Sequence, residues 1–158
     1  MTDNRIIVAA LGLPVSKDRT KVLLTQRHAP GHPLEHNKWQ IAGGGLDFGE
    51  TMEEGVVREI FEELHVNCKI IYPHPVVKTS IWKAEKENEG DTEVVLVNYL
   101  VDIGDQVPDL TQDPDWETSN WGWFTLEEAR KLDFLPLTLE VVEEAFHLID
   151  QHDILDKS

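Results

Sequence analysis

The sequence has little cysteine, few basic residues and no long hydrophobic run. Its single cysteine, Cys68, has no partner in the chain for a disulfide, so we expect a free, apolar thiol in a reducing compartment. The longest apolar run, Ile6 to Leu13, is far shorter than the roughly 20 residues that cross a bilayer. The N-terminus also lacks the basic stretch and apolar run of a signal peptide. These absences predict a cytoplasmic protein with no membrane partner.

The scarcity of basic residues leaves a strongly acidic chain. There are 14 lysines and arginines against 30 aspartates and glutamates, which gives a formal net charge of −16. Proteins that bind nucleic acid without sequence preference use basic residues to displace phosphate counterions, and anionic membranes attract basic segments. The composition therefore argues against both partners. It does not argue against an anionic small molecule, because a bound divalent cation can reverse the local charge.

The length and composition fit one folded domain. The chain has 158 residues, of which 41% are hydrophobic and 28% charged, and this size is enough for a single hydrophobic core. We expect the domain to cover residues 1–152 and the last residues, 153–158, to form a frayed tail.

The spacing of apolar residues predicts strands and helices in a mixed order. The first strand is expected to be buried and could form a hairpin with the second. Strands, one helix, more strands and then helices predict an α+β fold, an α/β/α sandwich whose mixed central sheet packs against the first and the C-terminal helices. The expected strands cover residues 6–13, 21–27, 39–42, 69–71, 76–82, 93–103 and 121–124, and the expected helices cover 51–64, 126–132 and 138–151.

The first expected helix is unusually acidic and follows a glycine-rich segment. Glu59, Glu62 and Glu63 are three and four residues apart and so share one helical face. Like charges at this spacing repel, so a cation should lie beside them, and carboxylate oxygens suit Mg²⁺ or Mn²⁺. The glycines at 43–45 allow the backbone to approach the same ion closely. Most acidic helices are simply solvated, but the complete spacing from glycine to glutamates argues against that explanation here.

This segment resembles the signature of the Nudix hydrolase family, G-x5-E-x7-R-E-U-x-E-E-x-G-U, in which U is apolar. One position differs, because His65 stands where the family has glycine. His65 must either adopt a positive φ, which histidine tolerates better than most residues, or end the helix differently. Thr51 and Glu54 have capping-box spacing at the other end of the helix. The matching residues are Gly44, Glu50, Arg58, Glu59, Ile60, Glu62, Glu63 and Val66.

The resemblance implies a Nudix fold and a hydrolase that cleaves the pyrophosphate linkage of a nucleoside diphosphate derivative, with Mg²⁺ as cofactor and Mn²⁺ as a substitute. The metals would neutralise the linkage and acidify water, and a carboxylate would remove the proton. The implied metal ligands are Glu59, Glu62, Glu63 and a carbonyl oxygen of Gly43 or Gly44.

The resemblance also implies individual roles. The implied catalytic residues are Glu62, Glu59 and Arg58, with Glu62 favoured as the base although the base varies in the family. Arg58 would pair with a carboxylate, such as the structural Glu50, and hold a ligand in place.

Three further residues are candidates for contact with the substrate. Arg27 could bind a phosphate, Trp39 could stack on a base and Glu117 could add a distal carboxylate. Each has an ordinary alternative: a surface arginine, a core tryptophan and a solvated loop residue.

The substrate is less well defined than the reaction. The segments 46–51 and 121–124 look most like nucleoside triphosphate diphosphatases, which release the monophosphate and pyrophosphate. The alternatives are an ADP-ribose or nucleotide-sugar pyrophosphatase, and a Nudix domain that senses a nucleotide without hydrolysis. We expect a small nucleotide as partner, and the chain could act as a homodimer.

Overall fold

The computed structural model describes residues 3–113 and 116–151, and it confirms the expected α+β class. The tail expected at 153–158 lies outside these residues. No helix in the described part of the chain has the length and apolar character needed to span a membrane. The strands are β1 (Arg5–Pro14), β2 (Val22–Arg27), β3 (Trp39–Gln40), β4 (Ala42–Gly45), β5 (Lys69–Ile70), β6 (Val76–Trp82), β7 (Thr92–Asp102) and β8 (Thr118–Phe124), and the α-helices are α1 (Met52–Leu64), α2 (Leu126–Ala129) and α3 (Thr138–Gln151).

The strands form two sheets. In the first, β1 lies between β4, which is antiparallel, and β7, which is parallel, while β5 and β6 both pair antiparallel with β7. The second has the order β3-β2-β8 and is antiparallel. The mixed sheet was expected, but the separate three-stranded sheet was not.

Three expectations about the strands are wrong, wholly or in part. β1 and β2 do not form a hairpin, because both edges of β1 are taken by β4 and β7, and only an isolated bridge joins Val15 to Val22. The strand expected at 39–42 is divided at Ile41, so that β3 and β4 belong to different sheets. The start of β1 is also not buried, since Ile6 is 67% exposed.

Two hydrophobic clusters form on residues that alternate along β7. Val97, Tyr99 and Val101 pack in the cluster that includes the buried face of α1. Leu100 packs in the cluster that includes α3 and part of β2. Because successive side chains of a strand point to opposite faces, the even-numbered residues of β7 lie on the face toward α3.

Both ends of α1 have a defined local structure. Thr51 is the N-cap, and its side chain and that of Glu54 form the expected capping box. At the other end His65 has φ 55° and ψ 40°, and its N–H donates to the carbonyl oxygen of Phe61 at 2.9 Å. The His65 ring also contacts the Phe61 ring, with centroids 4.7 Å apart. Of the two ways of ending the helix that the sequence allowed, the left-handed one is observed.

We expect His65→Gly to raise the free energy of unfolding by up to about 1 kcal/mol, because glycine removes the left-handed strain of a side-chain-bearing residue. His65→Ala is the matched control, since it keeps Cβ but loses the ring contact with Phe61. Denaturant titration should therefore place glycine above wild type and alanine below it. A glycine variant less stable than wild type would show that the lost ring contact outweighs the relieved strain, and one less stable than the alanine variant would show that no strain was relieved.

Candidate active site

The guanidinium group of Arg58 organises the acidic face of α1. Its Nε and Nη2 donate to the two carboxylate oxygens of Glu50 at 2.7 and 2.9 Å. Its Nη1 donates to Glu59 at 2.9 Å and to Glu62 at 3.1 Å, and Nη2 also reaches the carbonyl oxygen of Gly45 at 2.9 Å. The Arg58 side chain is 25% exposed. One arginine therefore binds three glutamates and one end of β4, and its Nε also lies 3.3 Å from Oδ2 of Asp47.

Glu50 is strongly held in its charged form. Its paired hydrogen bonds from Arg58, together with one from the backbone N–H of Asp47, lower the pKa of Glu50 to about 2. The two-point contact fixes the direction of the guanidinium as well as its position. Glu50 thus pairs directly with Arg58, and its structural role stays a prediction.

We expect Arg58→Met to lower the free energy of unfolding by about 2–3 kcal/mol, because it leaves several partly buried carboxylates without their counter-charge. Arg130→Met is the control, since Arg130 makes a single contact of 3.3 Å with Glu143 and is 54% exposed. That pair should contribute less than about 0.5 kcal/mol. Equal losses in the two variants, measured by denaturant titration, would contradict the central position given to Arg58.

The stabilisation that Arg58 gives the fold should also depend on pH. The folded-state pKa of Glu50 lies below its usual value of 4.5, so the stabilisation by Arg58 is present above that pH and is lost as the pH falls toward about 2. The difference between wild type and Arg58→Met should shrink over the same range.

Glu63 is a partly buried carboxylate near the end of the helix, and both of its oxygens accept hydrogen bonds. Its Oε2 accepts a hydrogen bond from the backbone N–H of Gly43 at 2.8 Å, and its Oε1 accepts from the hydroxyls of Thr118 at 2.8 Å and Thr25 at 3.4 Å. Burial raises the pKa of Glu63 to about 7 despite these bonds. A divalent cation beside it would favour the charged form.

The glycines of β4 allow this close approach. Gly43 has φ 140°, and a Cβ there would lie 2.3 Å from the carbonyl oxygen of Ala10. A Cβ on Gly44 would lie 2.7 Å from Oε2 of Glu59. A side chain at position 43 would therefore push β4 away from β1, and one at position 44 would collide with the Glu59 carboxylate.

These groups line a cleft that we call the acidic cleft, with a volume of about 210 Å³. Asp113, which is 7% exposed, was not predicted from the sequence. Its carboxylate accepts a hydrogen bond from the N–H of Glu117 at 3.1 Å. The only signal was its position in an acidic loop, which did not distinguish it from its neighbours. The residues that line the acidic cleft are Gly43, Gly44, Gly45, Glu59, Glu62, Glu63, Asp113, Glu117 and Thr118.

The donor chemistry of the acidic cleft fits Mg²⁺. Its described lining offers carboxylate, hydroxyl and backbone carbonyl oxygens, without histidine or cysteine, and hard oxygen ligands are those that Mg²⁺ prefers. Within residues 3–113 and 116–151, no group of three His, Cys, Asp or Glu side chains is already arranged to hold an ion. Arg58 engages Glu59 and Glu62, while Gly43 and Thr118 engage Glu63.

A second, largely apolar cleft of about 200 Å³ adjoins the acidic one. Of the three residues predicted to contact a substrate, Arg27 and Glu117 line this apolar cleft and Trp39 does not. The Trp39 ring instead packs edge-on against Phe124 with centroids 5.0 Å apart. Trp82 lines the cleft. The two clefts share Gly43, Gly44, Glu63 and Glu117.

Several known proteins are similar in sequence to this chain. The chain is 32% identical over 97 residues to the nucleoside triphosphatase NudI of Enterobacter sp. (strain 638), covering 61% of this chain and 67% of that protein. It is 32% identical over 82 residues to the RNA pyrophosphohydrolase of Ruthia magnifica subsp. Calyptogena magnifica, covering 52% of this chain and 41% of that protein. The chain thus spans less than half the length of this second relative.

A solved structure and a family model also match this chain. The solution structure of the E. coli ORF135 protein superposes with a TM-score of 0.67 at 19% identity, covering 94% of both chains, and so shares the fold. The family model described as NUDIX domain matches residues 6–145, most of the chain. The chain therefore belongs to the NUDIX domain family of pyrophosphohydrolases.

Proposed function

We propose that the protein hydrolyses the pyrophosphate linkage of a nucleoside diphosphate derivative, most readily converting a nucleoside triphosphate to its monophosphate and pyrophosphate. The observation that carries this proposal is the wall shared by the acidic and apolar clefts, formed by Gly43, Gly44, Glu63 and Glu117. A nucleotide is a planar, largely apolar group joined to a polyanion. It can therefore fill both clefts at once.

Nudix hydrolases generally use divalent metals, and we assign Mg²⁺ to the acidic cleft, with Mn²⁺ as a substitute. The proposed ligands are Glu59, Glu62 and Glu63 with a carbonyl oxygen of Gly43 or Gly44. When bound there, the cation supplies neutralisation and orientation of the pyrophosphate oxygens.

The protein's own groups supply the remaining functions. Glu62 is 50% exposed whereas Glu59 is 16% exposed, so Glu62 is better placed to take a proton from an attacking water. Arg58 acts as a positioning residue, because it binds both glutamates and is itself fixed by Glu50.

Arg27, which lines the apolar cleft, is the proposed phosphate contact. Its Nε is buried and lacks a hydrogen-bond partner within the described residues, although Oε1 of Glu35 lies 3.7 Å away. A guanidinium N–H without a partner can bind a phosphate oxygen. Glu117 is proposed to act near it as a distal carboxylate.

The nucleoside triphosphate is favoured over other substrates on two grounds. The relative NudI is named a nucleoside triphosphatase, and the net charge of −16 disfavours a long polyanion such as RNA. Location in the cytoplasm and assembly as a homodimer stay predictions.

A substrate panel tests the proposal. Purified protein with Mg²⁺ is incubated with ribo- and deoxynucleoside triphosphates, ADP-ribose, a nucleotide sugar and 5′-triphosphorylated RNA, and products are separated by ion-exchange chromatography. We expect a nucleoside monophosphate and pyrophosphate from at least one triphosphate. Turnover confined to ADP-ribose or a nucleotide sugar would support the alternative substrate. Tight binding without turnover would indicate a nucleotide sensor.

A further inference from the structure

A buried asparagine lies in the wall of the apolar cleft. Asn98 is 4% exposed and occupies the middle of β7, in a run of apolar and aromatic residues. It lies on the same face of the strand as Leu96 and Leu100, and it lines the apolar cleft together with Leu96. It does not line the acidic cleft. A polar side chain at such a position calls for a polar partner.

The structure provides partners for only half of this amide. Its Nδ2 donates to the carbonyl oxygens of Val76 at 3.0 Å and Leu96 at 3.3 Å. Since carbonyl oxygens can only accept, these contacts fix which end of the amide is nitrogen. Its Oδ1 is buried and has no hydrogen-bond partner among residues 3–113 and 116–151. Asn98, which lines the apolar cleft, therefore holds one unpaired acceptor and no free donor.

We propose that Asn98 determines base specificity by accepting a hydrogen bond from the exocyclic amino group of a nucleobase. The inference rests on the proposed nucleotide-hydrolysing function and goes beyond it by naming the class of base. Such a site favours adenine, cytosine or guanine over the related bases that carry a carbonyl oxygen or hydrogen in place of the amino group. Placing a carbonyl oxygen against Oδ1 would bring two acceptors together.

The surroundings favour a base over a sugar as the donor. Leu96, Leu135, Val141 and Trp82 line the same cleft as Asn98. A flat, weakly polar base buries well against such groups, whereas a sugar would leave several hydroxyls unpaired. The ring N–H of uracil is a poorer donor here, because it lies between two carbonyl oxygens that would both approach Oδ1.

The test uses substrate pairs that differ at the amino group, which is the only difference between GTP and ITP, whereas the other pairs also differ in the hydrogen on the adjacent ring nitrogen. We compare kcat/KM for CTP with UTP and for GTP and ATP with ITP, and we measure the affinities of the corresponding monophosphates by calorimetry. Wild type should prefer the amino member of at least one pair by about tenfold or more, since a site built to bind a polar group discriminates strongly against its absence. Asn98→Leu should reduce that preference to less than about twofold. The kcat/KM and affinity should fall for the amino-bearing nucleotide and stay unchanged for the other member of the pair.

Several controls keep the outcomes distinct. Asn88→Leu, at an exposed position that lines neither cleft, should keep the wild-type preference. If Asn98→Leu does not fold, the kcat/KM ratios of the wild-type protein for the substrate pairs still test whether it prefers an amino-bearing base. Wild type that hydrolyses triphosphates without preferring any amino member overturns the inference but not the proposed function. A monophosphate preference that depends on Asn98, without turnover, supports the inference and refutes hydrolysis. A preference between ribose and deoxyribose that follows Asn98 would overturn the assignment to the base.

Discussion

Glu63→Gln is expected to lower turnover at least about a hundredfold, by analogy with the loss of a key electrostatic stabiliser. The substitution keeps the size of the side chain and removes its charge, so it removes a proposed metal ligand. The fold should be retained. One oxygen of glutamine can still accept from the N–H of Gly43, and the hydroxyls of Thr118 and Thr25 can turn to accept from its amide N–H. A buried charge is also removed, so the melting temperature should not fall.

The matched control for this variant is Glu144→Gln on α3. Glu144 is 51% exposed and pairs only with Lys78 within the described residues, at 3.1 Å. The turnover of Glu144→Gln should stay within twofold of the wild-type rate. If Glu63→Gln melts like wild type and still turns over at more than half the wild-type rate, Glu63 is not a ligand required for the chemistry.

Removal of divalent metal is expected to abolish nearly all turnover, because the carboxylates of the acidic cleft would otherwise repel the substrate's phosphates. Metal-ion stabilisation of a phosphoryl oxygen contributes several kcal/mol, which corresponds to a loss of at least about a hundredfold in rate. Exhaustive chelation followed by gel filtration should give a folded, inactive protein. Addition of Mg²⁺ or Mn²⁺ should restore turnover.

The same cation should be detectable without turnover. A ligand that binds only the folded state raises its stability, so Mg²⁺ should raise the melting temperature of wild type more than that of Glu63→Gln. Full activity after chelation, or an equal shift in both proteins, would show that the cation does not act through the acidic cleft.

The parts of the site that could be predicted from the sequence depend on short-range spacing. The capping box at Thr51 and the shared face of Glu59, Glu62 and Glu63 follow from helical periodicity alone. The ending at His65 was one of two alternatives, and the choice between them needed the backbone angles.

The parts that could not be predicted depend on distant segments meeting. Thr118 is 55 positions from Glu63 in the chain and reaches it only because β8 pairs with β2. The hairpin expectation failed for a related reason, since local order does not reveal that both edges of β1 are already occupied. Asn98 has no motif around it, and its unpartnered oxygen becomes visible only when β6 and β7 are paired.

The parallel pairing of β1 with β7 affects how the chain acquires its structure. Arg5 pairs with Thr92, 87 positions later, so a long loop must close before the sheet is complete. Such non-local pairings slow folding relative to local helical contacts. During synthesis β1 leaves the ribosome long before β7 does. Leu13 and other apolar side chains of β1 then lack their partner strand, and a nascent chain at this stage presents a surface suited to chaperone binding.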